Sequence, residues 1–347
     1  MNKLLQRLIS DQKNIDPKYK PGPFWEKWSK LAVKELEENG LTEFRSSILS
    51  TNNSGTLYSD ATAVDGRKLV DMTSIKNKLG LIILNHTPLK KLFEFQVNLT
   101  KGYLTRVIEL EKNVIEFLKK DRLTELIENY KIDNSINFGC DRISVFRNNQ
   151  YSTHYLNSLD ILDFVEGKNS LKECKTFLEI GPGFGANIHL IEQNYSKIRK
   201  YIAIDIVPNV WVLTEYLRSL YGDAVKDYLQ TSEMNEIKFK DDDSLEIFVI
   251  PTWQIEKISS HIDCFWNAHS FVEMPSDVVL NYANQMKKIS KKNSTYVFIS
   301  YDQQDLKATF DSDKIPSYFI DVKFQKLKHP WLHYVERQNY FYLGKLS

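Results

Sequence analysis

Three glycines follow a short apolar segment in the second half of the sequence, at a spacing that suits ligand binding. Phe177–Ile180 is apolar except for Glu179, and Gly181, Gly183 and Gly185 follow it at every second position. Where a strand passes into a helix, glycines let the backbone turn sharply and approach a ligand closely. Glu179 lies at the predicted end of the strand, where its carboxylate can bind an amino group. The pattern predicts a binding loop, and the alternative is a glycine turn without function.

An acidic residue ends the next apolar segment. Tyr201–Ile204 is apolar, and Asp205, which follows it, comes 20 residues after Gly185. A carboxylate at that place can accept both hydroxyls of a ribose. In the dinucleotide fingerprint the third glycine comes three residues after the second, a position that is Ala186 here. The spacing and the leading Glu179 therefore favour S-adenosylmethionine, which carries a cation and a carboxylate in place of a pyrophosphate, over a dinucleotide.

Two further residues are predicted to contact the cofactor, because ligands bind beyond the carboxyl ends of the strands in an open α/β sheet. Trp253 follows the third predicted strand, where its indole either stacks on adenine or packs in the core. Asn267 follows the fourth predicted strand, where its amide is suited to contact the cofactor or the acceptor.

His269 and Glu273 are the candidate catalytic residues. Methyl transfer to a hydroxyl is an in-line displacement that also removes a proton, and a histidine titrates in the range that suits a general base. His269 is therefore the predicted base, and the alternative is a histidine that hydrogen-bonds a loop carbonyl. Glu273 comes four residues later and would orient the imidazole if one helical turn contained both. The alternative for Glu273 is a favourable interaction with the dipole of a helix that starts near Ser276.

The elements that must position these residues divide the chain into two parts. Short apolar runs alternate with helical patterns over 151–347, which predicts a parallel sheet covered on both faces. Residues 1–150 are predicted to be mainly helical and to serve acceptor recognition, a lid or oligomerisation. The predicted strands are Thr176–Ile180, Tyr201–Ile204, Leu245–Ile250, Ile262–Trp266, Tyr296–Ser300, Tyr318–Phe324 and Asn339–Leu343; the predicted helices are 24–39, two within 89–130, 155–165, 186–194, 209–221 and 277–290; a loop is predicted at 51–66.

Residues 150–347 resemble the class I S-adenosylmethionine-dependent methyltransferases. The glycine motif, the run 267–274 (Asn-Ala-His-Ser-Phe-Val-Glu-Met) and Pro23-Phe24-Trp25 are most similar to the sugar O-methyltransferase family of bacterial polysaccharide loci. The resemblance implies a Rossmann-like, seven-stranded α/β sheet with a mainly helical N-terminal extension. It also implies methylation of a hydroxyl on a sugar, a nucleotide sugar or a glycan, in polysaccharide biosynthesis. A small metabolite or a protein side chain as acceptor, and a non-catalytic binding subunit, are the alternatives.

Composition argues against several other classes. Lys plus Arg total 46 against 45 acidic residues, whereas a protein that binds nucleic acid through its phosphates usually has a basic excess. The three cysteines lie far apart, as is typical of a protein of the reducing cytoplasm. No segment has the pattern of a membrane span, so stable membrane insertion is not expected. A divalent metal is compatible with the chemistry, but no spacing among Glu273, Asp302 and Asp305 identifies a metal site. A homo-oligomer is also compatible with the sequence.

Overall fold

The computed structural model of the protein describes residues 2–41, 122–131, 144–146, 149–151, 153–301, 309–334 and 337–347. The helices are α1 (Lys3–Gln12), α2 (Pro23–Asn39), α3 (Arg122–Asn129), α4 (Thr153–Glu166), α5 (Ala186–Asn194), α6 (Asn209–Tyr221), α7 (Tyr228–Thr231), α8 (Ser276–Ile289) and α9 (Ile315–Tyr318). The strands are β1 (Ser144–Phe146), β2 (Asn149–Tyr151), β3 (Thr176–Ile180), β4 (Lys200–Asp205), β5 (Val225–Lys226), β6 (Glu246–Pro251), β7 (Ile262–Ala268), β8 (Ser290–Tyr301), β9 (Val322–Tyr334) and β10 (Arg337–Leu346). Short 3-10 helices lie at Pro17–Tyr19, Gly222–Ala224, Thr252–Lys257, Phe271–Glu273 and Ser312–Lys314.

Strands β3 to β10 form one mixed sheet in the order β5-β6-β4-β3-β7-β8-β10-β9. Strands β3 to β8 pair in parallel, whereas β10 is antiparallel to both β8 and β9. From β3 the chain moves outward through β4 to the edge strand β5, adds β6 between these two, and then returns to the other side of β3 as β7. This reversal is a topological switch point, and it places the carboxyl ends of β3 and β7 where ligands bind in open α/β sheets.

Alternating side chains of the central strands form two apolar cores, one on each face of the sheet. Phe177, Ala203 and Val249 belong to the core that α4, α5 and α6 cover. Leu178 and Ile202, one residue along each strand, belong to the core that α8 covers. This separation follows from the two-residue period of a strand, and burial on both faces explains why these strands are almost wholly apolar. The central strands are thereby held rigidly beneath the glycine loop.

The structure corrects several sequence expectations. The mixed sheet has eight strands in place of seven, because Val225–Lys226 adds a short parallel edge strand beside β6. Tyr318 ends helix α9, and the strand predicted from Tyr318 begins at Val322. In the N-terminal part the described segments are helical apart from the hairpin of β1 and β2, which was predicted as part of the helical region.

Other expectations are confirmed or fall elsewhere in the chain. Helices α2, α4, α5, α6 and α8 agree with the predicted helices to within two residues at each end. The predicted loop at 51–66 lies outside the described residues, as do the helical pattern from Leu89 to Asp121 and the side chains of Asp302 and Asp305. None of the helices described here combines the length and the apolar character needed to cross a membrane.

Candidate functional site

The glycine loop joins β3 to α5 with three residues in the left-handed region of backbone conformation. Gly181, Gly183 and Gly185 have φ values of 74°, 61° and 102°. At Gly181 the neighbouring chain is also close, because an added Cβ would lie 1.8 Å from Oγ of Ser270. At Gly185 it would lie 2.8 Å from Cδ1 of Leu213. The loop therefore requires glycine for its turn and for its close packing against the chain after β7 and against α6.

Asp205 ends β4 and holds the neighbouring loops together. Its carboxylate accepts hydrogen bonds from the backbone N–H of Gly183 at 2.9 Å, from the N–H of Ile206 at 2.7 Å and from the Asn209 amide at 3.1 Å. Burial raises the pKa of Asp205 to about 7 despite these three hydrogen bonds, which act in the opposite direction. The predicted ribose-binding carboxylate thus lies against the glycine loop.

Glu179 has a completely buried carboxylate at the end of β3. One oxygen, Oε1, accepts a hydrogen bond from the Asn187 amide at 2.7 Å, whereas the buried Oε2 has no hydrogen-bond partner among the described residues. Burial raises the pKa of Glu179 to about 8, and the nearby charge of Asp205 raises it further. A buried, unpaired acceptor is costly, so this oxygen is suited to a ligand that brings its own donor or positive charge. Asn187 carried no signal in the sequence that marked it as the partner of Glu179.

Asn267 stabilises the site from within the protein. Its side chain is fully buried at the end of β7; the amide nitrogen donates to the carbonyl of Ile180 at 2.8 Å, and the amide oxygen accepts from the N–H of Phe271 at 3.0 Å. The amide therefore ties the end of β3 to the loop after β7. These two hydrogen bonds explain why an asparagine occupies this position, because the two backbone groups would otherwise be buried without partners.

His269 has an unusual backbone conformation beside the glycine loop. Its φ is 69°, in the left-handed region that only a small share of non-glycine residues adopt, and its N–H donates to the carbonyl of Ile299 at 2.8 Å. The next residue, Ser270, contacts Gly181 through its hydroxyl, at 3.4 Å from the carbonyl oxygen. The structure thus brings His269 next to the loop whose glycines and Glu179 were predicted to hold the cofactor.

Glu273 has partners that the sequence did not predict. Residues 269–273 do not form a single helical turn, because His269 is left-handed and the 3-10 helix starts at Phe271. The Glu273 carboxylate accepts a hydrogen bond from Nε1 of Trp25 at 3.0 Å and another from the Tyr301 hydroxyl at 2.7 Å. Tyr301 ends β8 and carried no signal in the sequence beyond an apolar strand.

Trp253 lies in the 3-10 helix after β6 and is partly buried. Its indole N–H donates to the Tyr228 hydroxyl at 3.3 Å, and the two rings meet edge to face with centroids 5.7 Å apart. The Tyr228 hydroxyl in turn donates to Asp11 of the N-terminal segment at 2.8 Å. The indole thus packs at the edge of the site, and part of the indole surface remains exposed.

The N-terminal segment runs along the carboxyl edge of the sheet. The Thr252 hydroxyl, after β6, donates to the carbonyl of Tyr19 at 2.6 Å, and Trp25 bonds to Glu273, after β7. Strands β4 and β3 lie between β6 and β7, three strand spacings of about 14 Å in all. Gly22 already lies beside Glu273 and Pro275, and residues 23–25 belong to α2, so residues 19–22 connect the segment after β6 with the segment after β7. We call residues 16–25 the N-terminal strap.

The site has no feature of a metal centre in the part of the chain that is described. No group of three or more His, Cys, Asp or Glu side chains is placed there to hold a metal ion. The acidic run 241–243, at the amino edge of the sheet, includes Asp242, which pairs with Lys200 at 2.8 Å. Glu179, Asp205 and Glu273 are the acidic side chains that the sequence predicted for this site; the first two are buried and Glu273 is partly buried.

Comparison with protein-family models and with curated proteins gives no match. Among solved structures, TehB from Haemophilus influenzae is similar with a TM-score of 0.37 and 15% identity, over 54% of this chain and 62% of that one. The pyocyanin biosynthetic protein PhzM has a TM-score of 0.40 and 9% identity, over 56% of this chain and 57% of that one. A SAM-dependent methyltransferase from Aquifex aeolicus has a TM-score of 0.37 and 16% identity, over 53% of this chain and 89% of that one. The match thus spans less than two thirds of TehB and of PhzM.

Proposed function

We propose that the protein is an S-adenosylmethionine-dependent methyltransferase that acts on a hydroxyl of a sugar. The observation that carries the choice of cofactor is the buried Oε2 of Glu179, beside the glycine loop, for which the described part of the chain provides no hydrogen-bond partner. An ammonium group supplies the donor and the positive charge that this oxygen lacks. A pyrophosphate brings only acceptors and negative charge, so it would not satisfy this oxygen and would make ionisation of the carboxyl still more costly. The site therefore suits a cationic amino acid moiety better than a dinucleotide.

The remaining cofactor contacts follow from the geometry of the loop. Gly181, Gly183 and Gly185 let the backbone approach the ligand, and Asp205 offers its carboxylate to the ribose hydroxyls. Its hydrogen bond with the N–H of Gly183 keeps that carboxylate next to the loop. Trp253 lies one strand further along the edge, where its exposed surface is available to the adenine. Asn267 supports these contacts by fixing the end of β3.

The chemistry needs a group that removes a proton from the acceptor. When bound, S-adenosylmethionine supplies a methyl group on a sulfonium, which leaves as a thioether once the acceptor oxygen has taken the methyl. A sugar hydroxyl is a weak acid, so His269 is proposed to accept its proton as the new C–O bond forms. This role is supported by Ser270, the next residue, whose hydroxyl contacts Gly181 of the loop.

The sugar acceptor is the finer part of the proposal. It is supported by the similarity of residues 267–274 to sugar O-methyltransferases of polysaccharide loci and by a histidine suited to deprotonate a hydroxyl. A surface polysaccharide assembled in the cytoplasm is the proposed setting. A small metabolite or a protein side chain as acceptor, and a non-catalytic binding subunit, are the alternatives that an acceptor screen separates.

Calorimetric titration of the purified protein tests the cofactor. S-adenosylhomocysteine should bind with micromolar affinity and NAD should not. The binding should be lost in Asp205→Ala and retained in Glu173→Gln, which changes an exposed carboxylate at the amino edge. 5′-Methylthioadenosine lacks the ammonium group, so it should bind more weakly to the wild type and equally to wild type and Glu179→Gln. Binding of NAD alone would overturn the proposal.

Transfer of a labelled methyl group to a panel of nucleotide sugars, free sugars and glycans tests the acceptor. Once an acceptor is found, His269→Ala should lower turnover by about 10²–10⁴-fold while the affinity for S-adenosylhomocysteine stays nearly unchanged. An equal loss of turnover and affinity would refute the role of His269 as base. Transfer to metabolites or proteins but to no sugar would refute the sugar assignment.

A further inference from the structure

Three side chains connect the N-terminal helix α2 with the loop that bears His269. Nε1 of Trp25, in the first turn of α2, donates to one oxygen of the Glu273 carboxylate at 3.0 Å. The Tyr301 hydroxyl donates to the other oxygen at 2.7 Å. The ring of Tyr301 lies beside the ring of His269, with centroids 5.8 Å apart and planes inclined by 36°. Contacts thus run without interruption from α2 to the imidazole.

The burial of this set makes its geometry well defined. Trp25 and Tyr301 are buried, with 9% and 8% of their surface exposed, and Glu273 is half-buried. Hydrogen bonds to an ionised carboxylate are shorter and about twice as strong as those between neutral groups. Both oxygens of Glu273 are engaged, so the carboxylate fixes the indole and the phenol relative to each other.

The backbone at His269 is bonded to the strand that carries Tyr301. Its left-handed conformation directs the side chain differently from that of a residue in a strand or helix, and its N–H is bonded to Ile299 of β8. Tyr301 comes two residues after Ile299 on the same strand, so its side chain lies on the same face as that of Ile299. The hydroxyl bond to Glu273 then determines where the phenol ring stands against the imidazole.

We propose that Trp25, Glu273 and Tyr301 are positioning residues for the His269 imidazole, through which helix α2 forms part of the active site. This inference rests on the proposed role of His269 as base. Glu273 then acts through Tyr301, and its bond to Trp25 makes the orientation of the imidazole depend on the docking of α2. This hydrogen bond joins Trp25 and Glu273, which are 248 residues apart in the sequence.

Nuclear magnetic resonance of the histidine rings tests the proposal without an acceptor. The imidazole signals of His269 are assigned by their loss in His269→Gln. They should shift in Tyr301→Phe and in Trp25→Phe, since each removes one hydrogen bond to Glu273 and keeps an aromatic ring. Tyr130→Phe is the matched control, because it also removes a bond between a tyrosine hydroxyl and a carboxylate, that of Asp163. The His269 signals should stay unchanged in the control.

The outcomes separate this inference from the proposed function. With an acceptor in hand, both variants should lower kcat by roughly 10-fold or more and leave the affinity for S-adenosylhomocysteine within about threefold. Unshifted His269 signals in both variants would overturn the positioning role even if S-adenosylhomocysteine bound normally. Failure of the wild type to bind S-adenosylhomocysteine would overturn the proposed function instead. If Trp25→Phe did not fold, Tyr301→Phe, which loses a single oxygen, would decide alone.

Discussion

At the scale of single residues, the carboxylates of Glu179 and Asp205 are both buried next to the glycine loop. The pKa of Glu179 is about 8 in the folded protein, whereas the pKa of an unperturbed glutamate in the unfolded chain is about 4.3. The folded state therefore binds a proton that the unfolded chain releases, and the free energy of unfolding falls as the pH rises from about 4 to about 8. The residue proposed to bind the ligand thus destabilises the ligand-free protein at neutral and alkaline pH.

Replacing Glu179 with glutamine should therefore stabilise the ligand-free protein. The amide does not titrate, and its oxygen can still accept from Asn187. We expect the thermal unfolding midpoint of Glu179→Gln at pH 8 to exceed that of the wild type by at least about 2–4 °C, the shift for ~1 kcal/mol, with no gain at pH 4. Glu246→Gln should instead lower the unfolding midpoint, because the buried carboxylate of Glu246 forms an ion pair with Nζ of Lys200 at 3.0 Å. A midpoint for Glu179→Gln at or below the wild-type value at pH 8 would refute the account.

The close approach of Gly181 to Ser270 gives a second prediction at this scale. Gly181→Ala places a Cβ 1.8 Å from Oγ and 2.6 Å from Cβ of Ser270, so the loop must move. We expect a loss of about 2–5 kcal/mol in the free energy of unfolding, from the clash and the left-handed backbone together, and at least tenfold weaker binding of S-adenosylhomocysteine. Adding Ser270→Gly should remove the part due to the clash and restore most of the binding, leaving about 1–2 kcal/mol for the left-handed backbone. Urea unfolding and calorimetry measure the two quantities, and an absence of any rescue would contradict the steric explanation.

At the scale of secondary structure elements, the sequence was informative where local signals determine the outcome. The helices at 186–194 and 209–221 follow from apolar spacing and a glycine at one end, and the central strands follow from apolar runs. Val225–Lys226 was missed because two residues carry no periodicity, and only pairing with β6 defines them as a strand. The start of β9 was misplaced because Ile315–Tyr318, with Pro316 at an allowed helical position, forms one helical turn first.

The candidate site was predictable to the same extent. The glycine loop, Glu179 and Asp205 are local signals at strand ends, and the structure places all of them at one edge of the sheet. The partners of Glu273 and Asn267 were not predictable, since Trp25 lies 248 residues away in sequence and Ile180 lies 87 residues away. Such pairs depend on how the elements pack against each other, and the residue spacing within one element does not predict that packing.

The tie that Asn267 makes between β3 and the loop after β7 gives a prediction at this scale. Asn267→Ala would leave the Ile180 carbonyl and the Phe271 N–H buried without partners, at about 1–3 kcal/mol for each. We expect urea unfolding to show a loss of about 2–4 kcal/mol. Asn194→Ala is the comparison, because that amide bonds to two backbone carbonyls at a more exposed place, and it should lose about 1 kcal/mol or less. Equal effects of the two substitutions would argue against a structural tie at Asn267.

At the scale of the whole molecule, the N-terminal strap contacts the carboxyl edge of the sheet, where the candidate site lies. The N-terminal strap is held at Tyr19 by Thr252, which is 233 residues away, and at Trp25 by Glu273. Lys18 adds a contact to Glu256 at 3.1 Å, but exposed ion pairs contribute little. The buried Tyr19 ring, whose hydroxyl donates to Glu256, and the hydrogen bonds of Thr252 and Trp25 are therefore the contacts that we expect to hold the strap.

Strands β3 and β4, which carry Glu179 and Asp205, lie between the two strands whose following segments hold the strap, so we expect ligand binding and the ordering of the strap to be coupled. We expect hydrogen exchange of peptides covering residues 16–25 to slow when S-adenosylhomocysteine is bound. Thr252→Val, which removes the hydroxyl and keeps the shape, should speed exchange in the ligand-free protein and raise the dissociation rate of the ligand several-fold. By linkage, each event favours the other by the same free energy. Exchange in the strap that is identical with and without bound ligand would show that the strap lies beside the site without covering it, and the N-terminal segment would then contribute to the site only through Trp25.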